Sequence, residues 1–233
     1  KKLKKQLSRK KTEFKVFQIY KRKKIFIPLF ETSHNQYHQL LIIGKALELR
    51  GCQVRVLVCN GFLNACEIKS IKNLKNPNNC WDCKFNLKNI VPLYNLKTCD
   101  IESIISKDYI EEIQNLLRSN NFCYEDIIDY LPFEIKKEKF ETIIEESVVR
   151  FFYGKVNKDD YLYQKVRTEH TITLLISSLI AKKIDSDWSP DYVLSNMFVY
   201  STWAPFFEYF NKRGKRYKTL SINQFNTESV IIN

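Results

Sequence analysis

The sequence predicts an α/β protein: a Rossmann-like three-layer domain with a mostly parallel sheet and a helix-rich insertion in its middle. Three observations carry this. Short apolar runs alternate with stretches whose apolar residues recur at three- and four-residue steps. Glycines fall where those helical stretches should stop. Polar residues cluster after the apolar runs, which is where ligands of open α/β sheets bind.

The first unit spans residues 24–61. Ile25, Phe26 and Ile27 open an apolar run that ends near Phe30, and Glu31-Thr32-Ser33-His34-Asn35 follows as a polar loop. Tyr37, Leu40, Leu41, Gly44 and Leu47 then share one helical face, with Gly51 at the C-cap position. Val54, Val56, Leu57 and Val58 read as a second buried strand. Strand, loop, helix, glycine and strand make a βαβ unit with a right-handed crossover. Its polar loop lies beyond a strand C-terminus, so Glu31–Asn35 is the first candidate site. His34 or Glu31 would be a general base there, and Asn35 a hydroxyl binder.

The composition supports a packed domain. Of 233 residues, 44% are hydrophobic and 14% aromatic, which excludes global disorder. Only 5 Gly and 6 Pro argue against a loop-rich or repeat fold. The net charge of +12 is unevenly placed: residues 1–24 hold twelve Lys and Arg against the single acid Glu13, leaving +1 for the rest. The arm carries interleaved Leu3, Leu7, Phe14, Phe17 and Tyr20. It reads either as a solvated tail or as an interfacial helix on the anionic inner face of a cell membrane, the second placing a cytoplasmic protein peripherally there. A near-neutral body makes nucleic acid an unlikely partner. No apolar run reaches transmembrane length, and none has the layout of a signal peptide.

Five of the seven cysteines fall in 59–99. Cys80-Trp81-Asp82-Cys83 is a CxxC knuckle that can place two thiolates on one ion. With Cys66, and Cys59 or Cys99 as a fourth ligand, it predicts a structural zinc site in a Cys-containing loop over 60–100. Unlinked thiols are the competing expectation, and Cys52 and Cys59 read as small core residues.

The run Lys88–Tyr94 suggests a short strand ending at Pro92. A helical region follows over 101–187, with Ile143, Ile144, Val148 and Phe151 on one buried face and Leu162 through Ile180 on another. Glu145-Glu146 reads as a solvated face, and Arg167, Glu169 and His170 as surface ion pairing. Tyr192–Ser195 is a further strand, Tyr200 to Arg213 a helix closed by Gly214, and Tyr217–Leu220 the next strand. Asn196, Tyr200, Asn223 and Gln224 therefore join Glu31–Asn35 at one sheet edge as candidate substrate binders. Residues 25–225 form the predicted domain, and 226–233 read as a linker toward a second domain.

The order "ALELRG", "CQVRVLVCNG", "NGFLNACE…CWDC", "SPDYVLSN…Y" and "NKRGKRYKTLS" resembles the amino-terminal domain of a GT-B glycosyltransferase of the bacterial capsule or surface-polysaccharide type. The resemblance implies transfer from a nucleotide-sugar donor to a surface glycan or lipid-linked acceptor. It implies a Rossmann-like acceptor domain, no catalytic cofactor, and a missing second domain or partner chain that binds the donor. The alternatives are a non-catalytic sugar-binding scaffold, a zinc-containing nucleic-acid binder, and a sugar-nucleotide epimerase.

Overall fold

The computed structural model describes residues 22–32, 36–67, 80–119, 124–222 and 230–232. The chain order is β1 (Lys24–Leu29), α1 (Gln36–Leu49), β2 (Gln53–Val58), α2 (Trp81–Asn89), a 3-10 turn (Val91–Tyr94), β3 (Lys97–Asp100), α3 (Lys107–Ser119), α4 (Tyr124–Ile127), α5 (Lys137–Phe151), α6 (Tyr161–Trp188), β4 (Tyr192–Ser195), α7 (Tyr200–Lys212), β5 (Arg216–Ile222) and β6 (Val230–Ile232). The sheet order is β3-β2-β1-β4-β5-β6. The first five strands run parallel and β6 is antiparallel to β5. The predicted fold class holds.

The strand β1 lies at the centre because both its faces are apolar. Ile25, Ile27 and Leu29 belong to one core with Tyr37, Leu40 and Leu41 of α1. Phe26 and Phe30 belong to the other, with α3, α5, α6 and α7. Alternate side chains of a strand point to opposite faces, so these two sets define the outer layers. The Phe26 ring centroid lies 5.8 Å from that of Phe206 and 6.2 Å from that of Phe210. Phe30 meets Trp203 edge-on at 5.9 Å. On the opposite face Gly44 allows close approach of α1: a Cβ there would stand 2.8 Å from Ile27 Cδ1. Gly51 ends the helix segment at φ 91°, as its C-cap position requires.

The strand β4 is tied to β1 at the sheet's amino-terminal edge. Asp191 pairs with Lys23 Nζ at 2.9 Å and accepts the Lys24 amide at 2.9 Å, while Lys24 Nζ donates to Trp188 O at 2.8 Å. Burial alone would raise the Asp191 carboxyl, but these donors and the Lys23 and Lys215 charges hold it below its ordinary value. The helix α6 spans 28 residues. Asp160 caps its start by accepting the Leu162 amide at 2.8 Å. Ser189, in the left-handed region at φ 46°, ends it by donating back to Asp185 O and Ile184 O.

Two local expectations are corrected. Residues 88–94 form no strand: Pro92 opens the 3-10 turn, and the strand is the later Lys97–Asp100. Glu169 and His170 are buried rather than on the surface. Glu169 accepts Arg118 Nε and Nη2 at 3.0 and 2.8 Å, while Arg167 pairs with Glu141 at 2.6 Å. Residues 1–21, and with them most of the basic arm, lie outside the described residues. Among the described residues no helix is long and apolar enough to cross a membrane.

The central aromatic packing has a measurable consequence. Phe26→Ala should cost about 3–5 kcal/mol of unfolding free energy, as for other buried Phe truncations. Ile42→Ser, on the exposed side of α1, should stay within about 0.5 kcal/mol of the parent. Urea denaturation of the two variants checks both.

Candidate active site at the switch point and the head of α7

The crossovers from β1 lead to β2 and β3 on one side, whereas β4 and β5 lie on the other. Loops after β1 and β4 therefore part at this point and leave a crevice beyond the strand ends. Asn196, after β4, donates from Nδ2 to Oε1 of Gln36, the first residue of α1, at 3.3 Å. His34, Asn35, Asn223 and Gln224 lie outside the described residues.

Glu31 and Thr32 form the described part of the β1 loop. Thr32 is buried, and its hydroxyl donates to Cys83 O at 2.9 Å. Asn86 Nδ2 donates to Thr32 O. These contacts dock α2 on the end of β1. Burial raises the Cys83 thiol, as do the neighbouring Cys80 and Glu31, against the pull of the Thr32 amide and hydroxyl. Burial pushes Cys99, in β3, up to about 11. Cys59 sits in the core and accepts the Leu63 amide at 3.5 Å. Among the described residues no group of three or more His, Cys, Asp or Glu could hold a metal ion, so Cys66, Cys80 and Cys83 are not drawn into one.

The head of α7 carries a denser constellation. Its preceding residue, Val199, provides no capping side chain. The Ser201 amide donates instead to Ser147 Oγ of α5 at 2.8 Å, and the Ser147 hydroxyl donates to Ile143 O at 2.9 Å. His170 Nδ1 of α6 hydrogen-bonds with Ser201 Oγ at 2.8 Å. Full burial lowers His170 to about 3, so the ring is neutral. Thr202 Oγ1 donates to Glu67 Oε2 at 3.2 Å.

Sequence reading missed Glu67. It is fully buried, and desolvation raises its carboxyl to about 8. Hydrogen bonds from its own backbone amide and from Thr202 pull down, Glu31 pushes up, and the Arg150 charge pulls down. Its Oε1 has no hydrogen-bond partner among the described residues. The one trace in the sequence is an acid closing a stretch that is apolar apart from Asn64, Phe62-Leu63-Asn64-Ala65-Cys66-Glu67.

Beside this knot lies a hollow of 420 Å³ lined by Glu146, Val149, Arg150, Tyr153, Gly154, Val199 and Tyr200. Tyr200 begins α7 at φ 65°, and Tyr153 sits at φ 52°. Left-handed backbone at a bulky residue costs about 1–3 kcal/mol and tends to mark functional positions. Two such tyrosines line one hollow. Tyr200, placed by sequence at the sheet edge, thus belongs to the wall between α5 and α7. Glu146, expected on a solvated face, is exposed and lies on its rim.

No protein-family model matches the sequence, and neither does any curated protein. The structure is similar to that of a cyclodipeptide synthase (CDPS) from Fluoribacter dumoffii. The TM-score is 0.50 at 8% identity, over 89% of this chain and 92% of that one. At this identity the likeness shows the fold. It overturns the glycosyltransferase reading, with its capsule and surface-polysaccharide role, because the neighbour is a cyclodipeptide synthase and not a glycosyltransferase. The quoted sequence segments carry the strand–helix–glycine rhythm of a doubly wound sheet, which unrelated enzymes share.

Glu67 and His170 make opposing contributions to stability. An acid raised in the folded state, such as Glu67, stabilises fully below about 4.5 and loses that contribution as pH rises to about 8. A depressed histidine, such as His170, stabilises above 6.5 and loses its contribution as pH falls toward about 3. Between pH 6.5 and 8 only Glu67 acts. Over that window parent stability should fall relative to Glu67→Gln by about 1.4 kcal/mol per pH unit. Urea midpoints at pH 6.5, 7.2 and 8 measure it, and parallel curves would return Glu67 to an ordinary carboxylate.

Proposed function

We propose that this chain is an acyl-transfer enzyme of the cyclodipeptide-synthase kind, taking an aminoacyl group from its tRNA ester and joining it to an amine. The observation that carries the proposal is Glu67, a buried carboxyl with a pKa of about 8 that accepts from Thr202 in the first turn of α7, the helix whose first residue, Tyr200, lines the hollow. The fold likeness to a CDPS over nearly the whole of both chains supports it.

The chemistry asks for little more. An amine nitrogen attacks the ester carbonyl, a C–N bond forms, and the C–O bond to the ribose breaks. The nitrogen must lose a proton and the departing oxygen must gain one. A group that titrates close to the working pH serves both transfers best. The positive end of α7 suits the oxyanion that forms on the carbonyl carbon. A hollow of 420 Å³ falls within the usual range for small-molecule pockets, roughly 300–1,000 Å³. Its aromatic and valine walls suit an amino-acid side chain, and Glu146 on its rim suits an α-ammonium group. The twelve basic residues of 1–24 then complement the polyanionic carrier. This reading replaces a lipid surface and a glycan acceptor with RNA as the partner.

Purified protein incubated with tRNAs charged with labelled amino acids should release cyclic dipeptides, detected by mass spectrometry. Glu67→Gln should keep the fold and lower the rate by about 10²–10⁴-fold, the usual worth of a positioned acid–base group. The parent rate should depend on a group titrating near pH 8, and that dependence should vanish in the variant. Ester loss no faster than spontaneous hydrolysis, for every charged tRNA supplied, sinks the reading.

A further inference from the structure

The helix α2 has one feature that the proposed chemistry does not use. Its exposed residues are Trp81, Lys84, Phe85, Lys88 and Asn89. They stand at steps of three and four and so occupy one face. On its other face, Cys83 and Asn86 bind Thr32 at the end of β1. The outer face therefore alternates aromatic, lysine, aromatic, lysine and projects beside the candidate site.

The two rings are stacked, with centroids 5.4 Å apart and planes 20° apart. Trp81 is 64% exposed and Phe85 48% exposed. Large rings rarely stand in water in such a pair without a partner. Lys84 and Lys88 make no ion pair among the described residues, and the Lys84 stem lies where a Cβ on Gly61 would meet it, at 2.6 Å. That contact holds one cation near the loop after β2. Asp82, the one acid of the helix, lies off this face and is half-buried.

We propose that this face of α2 is a stacking platform for unpaired bases of a single-stranded RNA segment, the 3′ end of the aminoacyl carrier. Base–aromatic stacking supplies sequence-tolerant affinity, and lysines between the rings meet the intervening phosphates. The charge on the face favours a polyanion, and rings interleaved with lysines match a strand better than a broad apolar partner. The carrier's identity rests on the acyl-transfer reading; the binding of single-stranded RNA does not.

The test uses the full chain and an uncharged seven-nucleotide RNA ending in CCA. Trp188 and Trp203 are buried, so Trp81 is the tryptophan whose emission an RNA base can quench by contact. The oligonucleotide should quench it saturably, and a blunt duplex of equal length should quench it less. Trp81→Ala/Phe85→Ala, read by filter binding, should weaken the single strand about ten-fold or more, whereas Trp81→Phe should retain most of the affinity. Both variants should melt at the parent temperature, since neither ring is buried. Lys84→Gln/Lys88→Gln should flatten the salt dependence. Affinity unchanged in the aromatic double variant, or quenching by anionic vesicles but not by RNA, overturns the platform. Because the RNA carries no aminoacyl group, a protein that binds it through Trp81 but forms no dipeptide refutes the acyl-transfer reading alone.

Discussion

The head of α7 has to be satisfied inside the protein, and that constraint organises the half of the molecule around it. A helix begins with amides that lack intrahelical partners. Here the residue before the helix is Val199, which brings no cap. An amide left bare in a buried setting costs about 1–3 kcal/mol. Ser147 from α5 takes the Ser201 amide, His170 from α6 meets the Ser201 hydroxyl, and Thr202 reaches Glu67 in the segment after β2. One helix end thus ties together two helices and a loop. Tyr200 is the residue between the uncapped Val199 and this knot, and a fixed knot lets its left-handed backbone persist.

The sheet holds that knot close to the crevice. Phe26 and Phe30 of β1 pack on Phe206, Phe210 and Trp203 of α7, so the helix is keyed to the central strand along its length. The end of β1 is in turn fixed by Thr32 on α2. The end of β1 is thus joined to α2 through Thr32 and to α7 through its phenylalanines. The electrostatic coupling between Glu31, Arg150 and Glu67 is the consequence.

The parts of the fold that the sequence announced are those written in periodic apolar residues. Ile25, Phe26 and Ile27, the α1 face with Gly44, and the Tyr192–Ser195 strand all lie where their pattern puts them. The strand β3 was illegible because an edge strand buries little: Lys97, Thr98 and Asp100 are exposed and Cys99 is half-buried. Pro92 drew the expectation to the wrong segment, since an apolar run beside a proline also suits a 3-10 turn. The site was less legible still. Glu67 and His170 acquire their character from burial among residues distant in the chain, and a single sequence contains no record of that burial. The CxxC drew attention as a metal knuckle, while the residue types on the outer face of its helix, Trp81 with Lys84 and Phe85, passed unread because that face emerges only once Thr32 fixes the inner one.

Burial drives both ionisable groups at the knot toward neutrality, yet they are not equivalent. His170 is a base lowered to about 3, and near neutral pH it neither takes nor gives a proton readily. Its Nδ1 is also committed to Ser201. Its effect is to hold the helix head, and an uncharged ring does so without the penalty of a buried cation. Glu67 is an acid raised to about 8, near enough to neutral pH to exchange its proton in either direction. One of its oxygens holds Thr202, and the other has no hydrogen-bond partner among the described residues. Such a carboxyl, raised chiefly by burial, nudged up by Glu31 and down by Arg150, has the features the proposed proton transfer asks for. Of the two groups, only Glu67 combines a pKa near neutrality with an oxygen that has no hydrogen-bond partner among the described residues, and the proposed chemistry rests on it for that reason.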